Sequence, residues 1–231
     1  MTAKSWFVAL VVGTVGLLTA TLLTSCAPTP KAGTIDVVGD SLAFQANWAR
    51  STEFATGAPR GADLVRDFKP GIGFPDVMAA QRKRVAAARP AILVIALGTN
   101  DAGPLDGGWN ATDDKELRDL MALPSPKACV VLVLPGHADK PGVASTYRVD
   151  LRNARAAMRK AAADRKAAGR PTVVADWGAV ALARPELTAD DGIHLADGAP
   201  SAPSRIVNEA AANAWTKVLW SGVAACPKPK P

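Results

Sequence analysis

Histidine and cysteine are scarce in this chain, at 2 and 3 of 231 residues, and only 5% of the residues are aromatic. Two histidines are too few for a His-rich metal cage, and no Cys-x-x-Cys pair stands ready to hold a structural zinc. Three cysteines in a chain of this length exclude a disulfide-stapled miniprotein. What is present is ordinary: 48% hydrophobic and 21% charged residues rule out an intrinsically disordered chain and suit one folded domain.

The first segment is not part of that domain. One cation, Lys4, precedes an uncharged stretch that runs to Ser25. Its apolar part, Trp6 to Leu23, is at the lower limit for a bilayer-spanning helix and long for a signal-peptide core. The stretch ends on Leu23-Thr24-Ser25-Cys26, which resembles the lipobox of bacterial lipoproteins. That resemblance implies a signal peptide over 1–25, cleavage before Cys26 and acylation of Cys26, which leaves the protein lipid-anchored to the membrane. An uncleaved anchor helix is the competing reading, and both put the domain outside the cytoplasm. Residues 26–33, rich in proline, read as a short stiff tether.

The net charge of +6 would raise nucleic-acid binding for a cytoplasmic chain. Here the cations are spread along helical segments of an exported chain, so no nucleic-acid partner is expected. The positive surface is a solvated face suited to an anionic envelope polymer or lipid headgroups. With Cys26 assigned to lipid, Cys129 and Cys226 remain. Outside the cytoplasm they can pair and staple the carboxy terminus to the sheet. One buried and one frayed free thiol is an equal alternative.

Four apolar runs read as strands: Thr34 to Val38, Ala91 to Leu97, Cys129 to Leu134 and Thr172 to Ala175. Unbroken runs of this kind are expected for central strands covered on both faces. A weaker fifth strand spans Asp63 to Phe68. Helices are expected over Pro75 to Ala88, Ser145 to Ala168 and Pro203 to Ser221, the last stopped by Gly222. The alternation predicts an α/β domain over 34–226 with a doubly wound, mainly parallel five-stranded sheet in a three-layer α/β/α, flavodoxin-like arrangement. The Pro-Lys-Pro-Lys-Pro end, 227–231, is expected to be disordered.

In such sheets ligands gather beyond the carboxy ends of the strands. There the chain places Gly39-Asp40-Ser41-Leu42, then Gly98-Thr99-Asn100-Asp101, and near its end Asp191-Gly192-Ile193-His194. Serine, histidine and a carboxylate are the parts of nucleophilic acyl transfer. No Gly-x-Ser-x-Gly elbow is present, which sets the chain apart from the α/β-hydrolases.

These turns, in this order, resemble the SGNH, or GDSL, hydrolases (esterases and lipases). The resemblance covers nearly the whole domain and implies that fold, an ester-cleaving activity and no metal or cofactor. It implies Ser41 as nucleophile, His194 as general base and then acid, and Asp191 as the group orienting His194. The oxyanion hole is implied to consist of the Ser41 N–H, the Asn100 amide and a glycine N–H. Gly73 in Pro70-Gly71-Ile72-Gly73-Phe74 is chosen because a free N–H there would point outward near a helix start; Gly71 is the alternative.

Each residue has a plainer use. Ser41 could merely cap the following helix. Asn100 and Asp101 could form an ordinary Asx turn. Asp191 and His194 could be a surface pair or two metal ligands lacking a third. His137 either lines the pocket or stands exposed in a loop. Their coincidence at three strand ends favours an esterase acting on an acylated small molecule, glycan or lipid. An O-acyltransferase and a noncatalytic envelope-binding lipoprotein are the alternatives.

Overall fold

The apolar runs become five parallel strands ordered β2-β1-β3-β4-β5. They are β1 (Lys31–Gly39), β2 (Asp63–Phe68), β3 (Pro90–Ala96), β4 (Cys129–Leu134) and β5 (Thr172–Asp176). This is a computed structural model, and it describes residues 31–49, 57–59, 61–77, 79–103, 107–197 and 207–227. The expected signal, Cys26 and the start of the helix expected from Pro203 lie outside those residues. The last tether residues, 31–33, belong to β1, where Lys31 pairs with Pro90 across a register shift.

Six α-helices are described: α1 (Ser41–Trp48), α2 (Ala79–Ala88), α3 (Ala111–Ala122), α4 (Ser145–Ala167), α5 (Trp177–Ala183) and α6 (Glu209–Ala224). They cover both sheet faces because successive strand residues point to opposite sides. Val37, Val94, Val131 and Val133 pack with Leu42 and Ala46 of α1 and with Trp215 and Leu219 of α6. Their neighbours Val38, Leu93, Ile95, Val130 and Leu132 pack with Val85 of α2, Leu117 and Leu120 of α3, and Met158 of α4. Burial of each such side chain contributes about 1.5–3 kcal/mol, which is why runs without polar alternation make the central strands. The layers are α/β/α.

Two expectations need correction. Gly222 does not end the last helix, which continues to Ala224. A Cβ at position 222 would lie 2.7 Å from Val131 Cγ1 and 3.0 Å from Ala175 Cβ. The glycine therefore lets α6 approach the sheet closely. The stretch between β3 and β4, for which the sequence pattern gives no helix, contains α3, which Asn110 caps in a reciprocal box with Asp113.

Cys129, at the start of β4, and Cys226, just past α6, form a disulfide across a sequence separation of 97. It ties the end of the chain to the sheet. The chain leaves β1 for the edge strand β2 and then crosses back to β3. The strand order thus reverses at β1, and the crevice beyond the ends of β1 and β3 is the switch point of this sheet.

Candidate active site

Ser41 follows β1 as the first residue of α1. The cap of that helix is Asp40, whose Oδ1 accepts the Leu42 N–H at 3.0 Å. The Asp40 N–H donates in turn to the Ala96 carbonyl at 3.1 Å, fastening the turn to β3. Burial pushes the Asp40 carboxyl up to about 6, against the pull of the Leu42 N–H. Because Asp40 caps the helix, Ser41 is not the capping residue and its hydroxyl is available. A Cβ at Gly39 would come within 2.4 Å of Ala43 Cβ, so only glycine lets α1 fold back this tightly.

The Ser41 hydroxyl lies 3.1 Å from His194 Nε2, and His194 Nδ1 lies 2.6 Å from Asp191 Oδ2. Residues 153 positions apart in sequence meet here. The carboxylate fixes the tautomer: Nδ1–H donates to Asp191, which leaves Nε2 to accept from Ser41. The other carboxylate oxygen, Oδ1, accepts the N–H groups of Ile193 at 2.8 Å and His194 at 3.0 Å. The bond from His194 holds the Asp191 carboxyl down at about 2, helped by those backbone donors. The same bond raises His194 above the usual histidine value, against the effect of its burial.

Residues not singled out in the sequence hold this turn in place. Gln45, one helical turn beyond Ser41, accepts the Leu195 N–H on its Oε1 at 3.2 Å. Lys140 donates to the carbonyls of Thr188 at 2.7 Å and Ala189 at 3.0 Å. The Ala138 N–H donates to the Gly192 carbonyl at 2.7 Å. The i, i+4 spacing from Ser41 was a local signal for Gln45. Lys140 had none, because its partners lie 48 and 49 residues away.

Asn100 follows β3, and its Nδ2 donates to the Ile72 carbonyl at 2.8 Å. That bond brings the turn containing Gly73 beside Asn100, while the second N–H of the amide is a further donor. Ser41 occupies the first helical position, where an N–H has no preceding intrahelical acceptor. Gly73 is buried and Gly71 is exposed at the tip of the turn with φ +77°. The Gly73 N–H is not free as expected: it donates to Asp76 Oδ2 at 3.2 Å, because the turn closes on that carboxylate. The next N–H, that of Phe74, donates to Asp101 Oδ1 at 2.6 Å. Asn100 and Asp101 thus reach across to the Gly73 turn and do more than close a local Asx turn.

A cleft of about 490 Å³ opens beside the histidine, lined by Phe44, Gln45, Trp48, Ala189, Asp191, His194, Asp197 and Val207. His137 lies outside this lining; its Nδ1 bonds the Ala138 carbonyl at 2.9 Å. Among the described residues no group of three or more His, Cys, Asp or Glu side chains could hold a metal ion. Among the same residues no helix is long and apolar enough to cross a membrane.

No family model matches the chain, and no curated protein matches it. Solved structures do resemble it. The C-terminal catalytic domain of peptidoglycan O-acetyltransferase A from Streptococcus pneumoniae is 23% identical at a TM-score of 0.57, covering 84% of this chain and 96% of that one. A lipase/acylhydrolase from Enterococcus faecalis is 18% identical at 0.62, covering 86% and 98%. A carbohydrate esterase of family 3 from Talaromyces cellulolyticus is 15% identical at 0.60, covering 83% and 96%. With its five parallel strands between two helical layers, the chain has the three-layer α/β/α fold of the SGNH hydrolases.

Proposed function

We propose that this protein is a serine esterase that removes an acyl group from an oxygen of its substrate. The observation that carries this reading is the continuous relay from Ser41 Oγ through His194 to Asp191, at 3.1 and 2.6 Å. A serine hydroxyl is a poor nucleophile until a base takes its proton, and Nε2 of His194 is within reach to do so. Attack of Oγ on the ester carbonyl makes a tetrahedral oxyanion, which the N–H of Ser41 and the amide of Asn100 stabilise. Gly73 joins them if its N–H turns from Asp76. His194 then gives the proton to the departing alcohol oxygen and leaves an acyl-enzyme on Ser41. Water then attacks the acyl carbonyl as His194 takes its proton; the bond from the acyl carbon to Ser41 Oγ breaks, His194 returns the proton to Oγ, and the acid leaves.

A second reading is favoured by the similarity to the peptidoglycan O-acetyltransferase domain. In that case a sugar hydroxyl replaces water in the second half and the acyl group is transferred. The intact relay speaks against a noncatalytic scaffold. The lipobox-like segment ending at Cys26 supports an extracytoplasmic, lipid-anchored location, so the substrate belongs to the envelope or lies outside it.

A fluorophosphonate probe on the purified protein, with Ser41→Ala alongside, tests the reaction. Ser41-dependent labelling together with ester turnover is expected. No labelling and no turnover across short and long acyl esters would overturn the esterase. Acyl transfer to added oligosaccharide would favour the transferase. Mass analysis of membrane-extracted protein should find a lipid-modified amino terminus at Cys26, and an intact Met1 would contradict the anchor.

A further inference from the structure

In the reaction proposed above, His194 hands its proton to the oxygen that departs. The alcohol half of the ester must therefore lie near His194, and His194 is one of the residues that line the 490 Å³ cleft. The cleft contains an indole that the fold does not use. Trp48 is 63% exposed, whereas Trp177, Trp215 and Trp220 are buried in the core. Its ring is stacked on Phe44, with centroids 5.8 Å apart and planes inclined by 22°. Both side chains come from α1, the helix that begins with Ser41, so the platform is rigidly linked to the nucleophile.

An exposed aromatic face backed by a second ring suits a ligand that is flat and apolar on one side. Polar groups border it. Gln45 turns its amide oxygen to the Leu195 N–H and keeps N–H donors of its own, and Asp197 supplies a carboxylate acceptor. A sugar ring matches this pattern, with C–H bonds on its face and hydroxyls on its edge. A fatty chain does not, because it would strip water from the Asp197 carboxylate without giving it a hydrogen bond. We propose that Trp48 is a stacking platform for a pyranose ring, so that the substrate's alcohol half is a sugar. This substrate assignment rests on the Ser41 esterase reading.

The test compares wild type, Trp48→Ala and Trp48→Phe on ethyl acetate, an O-acetylated xylo-oligosaccharide and a long-chain acyl ester. The ratio of kcat/KM for the sugar ester to that for ethyl acetate should fall at least about tenfold in Trp48→Ala, mainly through KM, and recover in part in Trp48→Phe. An unchanged ratio, or a larger loss on the long-chain ester than on the sugar ester, would overturn the proposal. Binding provides a readout independent of turnover. Ser41→Ala titrated with xylotetraose or chitotetraose should show a tryptophan-fluorescence change that Ser41→Ala/Trp48→Ala lacks. If wild type cleaves no ester, the esterase reading falls and the platform is judged on binding alone; absence of Trp48-dependent binding then overturns it as well.

Discussion

Phe74 and Asp101 are joined by a 2.6 Å hydrogen bond from the backbone N–H of the first to Oδ1 of the second, and this bond seats the Gly73 turn on the end of β3. The fit leaves no room: a Cβ at Gly73 would lie 2.3 Å from Asp101 Oδ1. Gly73→Ala must displace either the turn or the Asp101 carboxylate that holds it. We expect kcat to drop and stability to fall by about 1–3 kcal/mol, the usual cost of overpacking. Steady-state kinetics and thermal melts check both, and an unaltered kcat would show that the turn takes no part in the reaction.

The same carboxyl makes stability depend on pH. Burial, with the nearby Asp113 and Asp40 adding to it, pushes Asp101 up to about 7. An unfolded aspartate titrates near about 3.9. Between those values the folded protein holds a proton that the unfolded chain has lost, so this group's contribution to stability falls as pH rises through the window. Asp40, raised to about 6, acts with the same sign. Asp101→Asn keeps an acceptor for Phe74 but cannot ionise. Its melting temperature should fall less steeply than wild type between pH 4 and pH 7, and parallel slopes would count against the buried proton.

Catalysis should show a different pH signature. In the proposed reaction His194 must be neutral to act as a base, and Asp191 raises its proton affinity above the ordinary histidine value. The rate should therefore climb with pH through that raised value. Replacing Asp191 with Asn removes the carboxylate that holds Nδ1–H. The acidic limb of kcat/KM should then shift to lower pH, while kcat falls by about 10²–10⁴. Rate–pH profiles of the two proteins decide this, since loss of rate without a shift of the limb would assign Asp191 a merely structural role.

The strands were legible because their signal is local. Val130 to Leu134 is apolar at every position, and the structure buries every one. The three site turns were legible for a related reason: each follows or adjoins a short motif that keeps its residues together. Helix α3 was harder to see. Its face toward the sheet is narrow, with Leu117, Leu120 and Met121 set among acids and bases, although its Asn110–Asp113 capping box was a readable start. Contacts formed only by folding left no trace in sequence. The Lys140 tie to Thr188, 48 residues away, depends on how the loops close, not on any period or motif.

The disulfide makes a prediction about stability. Cys129 and Cys226 are both buried and close a loop across 97 positions, which restricts the unfolded chain far more than the folded one. Loss of a native bridge typically costs about 2–5 kcal/mol. In a domain of this size each kcal/mol moves Tm by about 2–4 °C. Cys226→Ala, or reduction of the wild type, should lower Tm accordingly while activity at low temperature persists, because the bridge lies at the start of β4, away from the strand ends that carry Ser41 and Asn100. Equal melting of oxidised and reduced protein would deny the bridge a stabilising role.

Asn100 offers the sharpest kinetic prediction, because one side chain combines two tasks. One N–H of its amide is committed to the Ile72 carbonyl at 2.8 Å, which holds the amide plane in a fixed orientation. The second can then serve an oxyanion without first losing rotamer freedom. Removing one such donor costs about 3–4 kcal/mol in the barrier, or about 10²–10³ in rate. Asn100→Ala should therefore reduce kcat by that factor and leave KM nearly unchanged, since the donor acts on charge that develops only after attack. Fluorophosphonate labelling of Ser41 should slow in parallel. A variant that weakens KM while sparing kcat would instead place Asn100 in ground-state binding, and the anchor to Ile72 would then serve the fold of the turn alone.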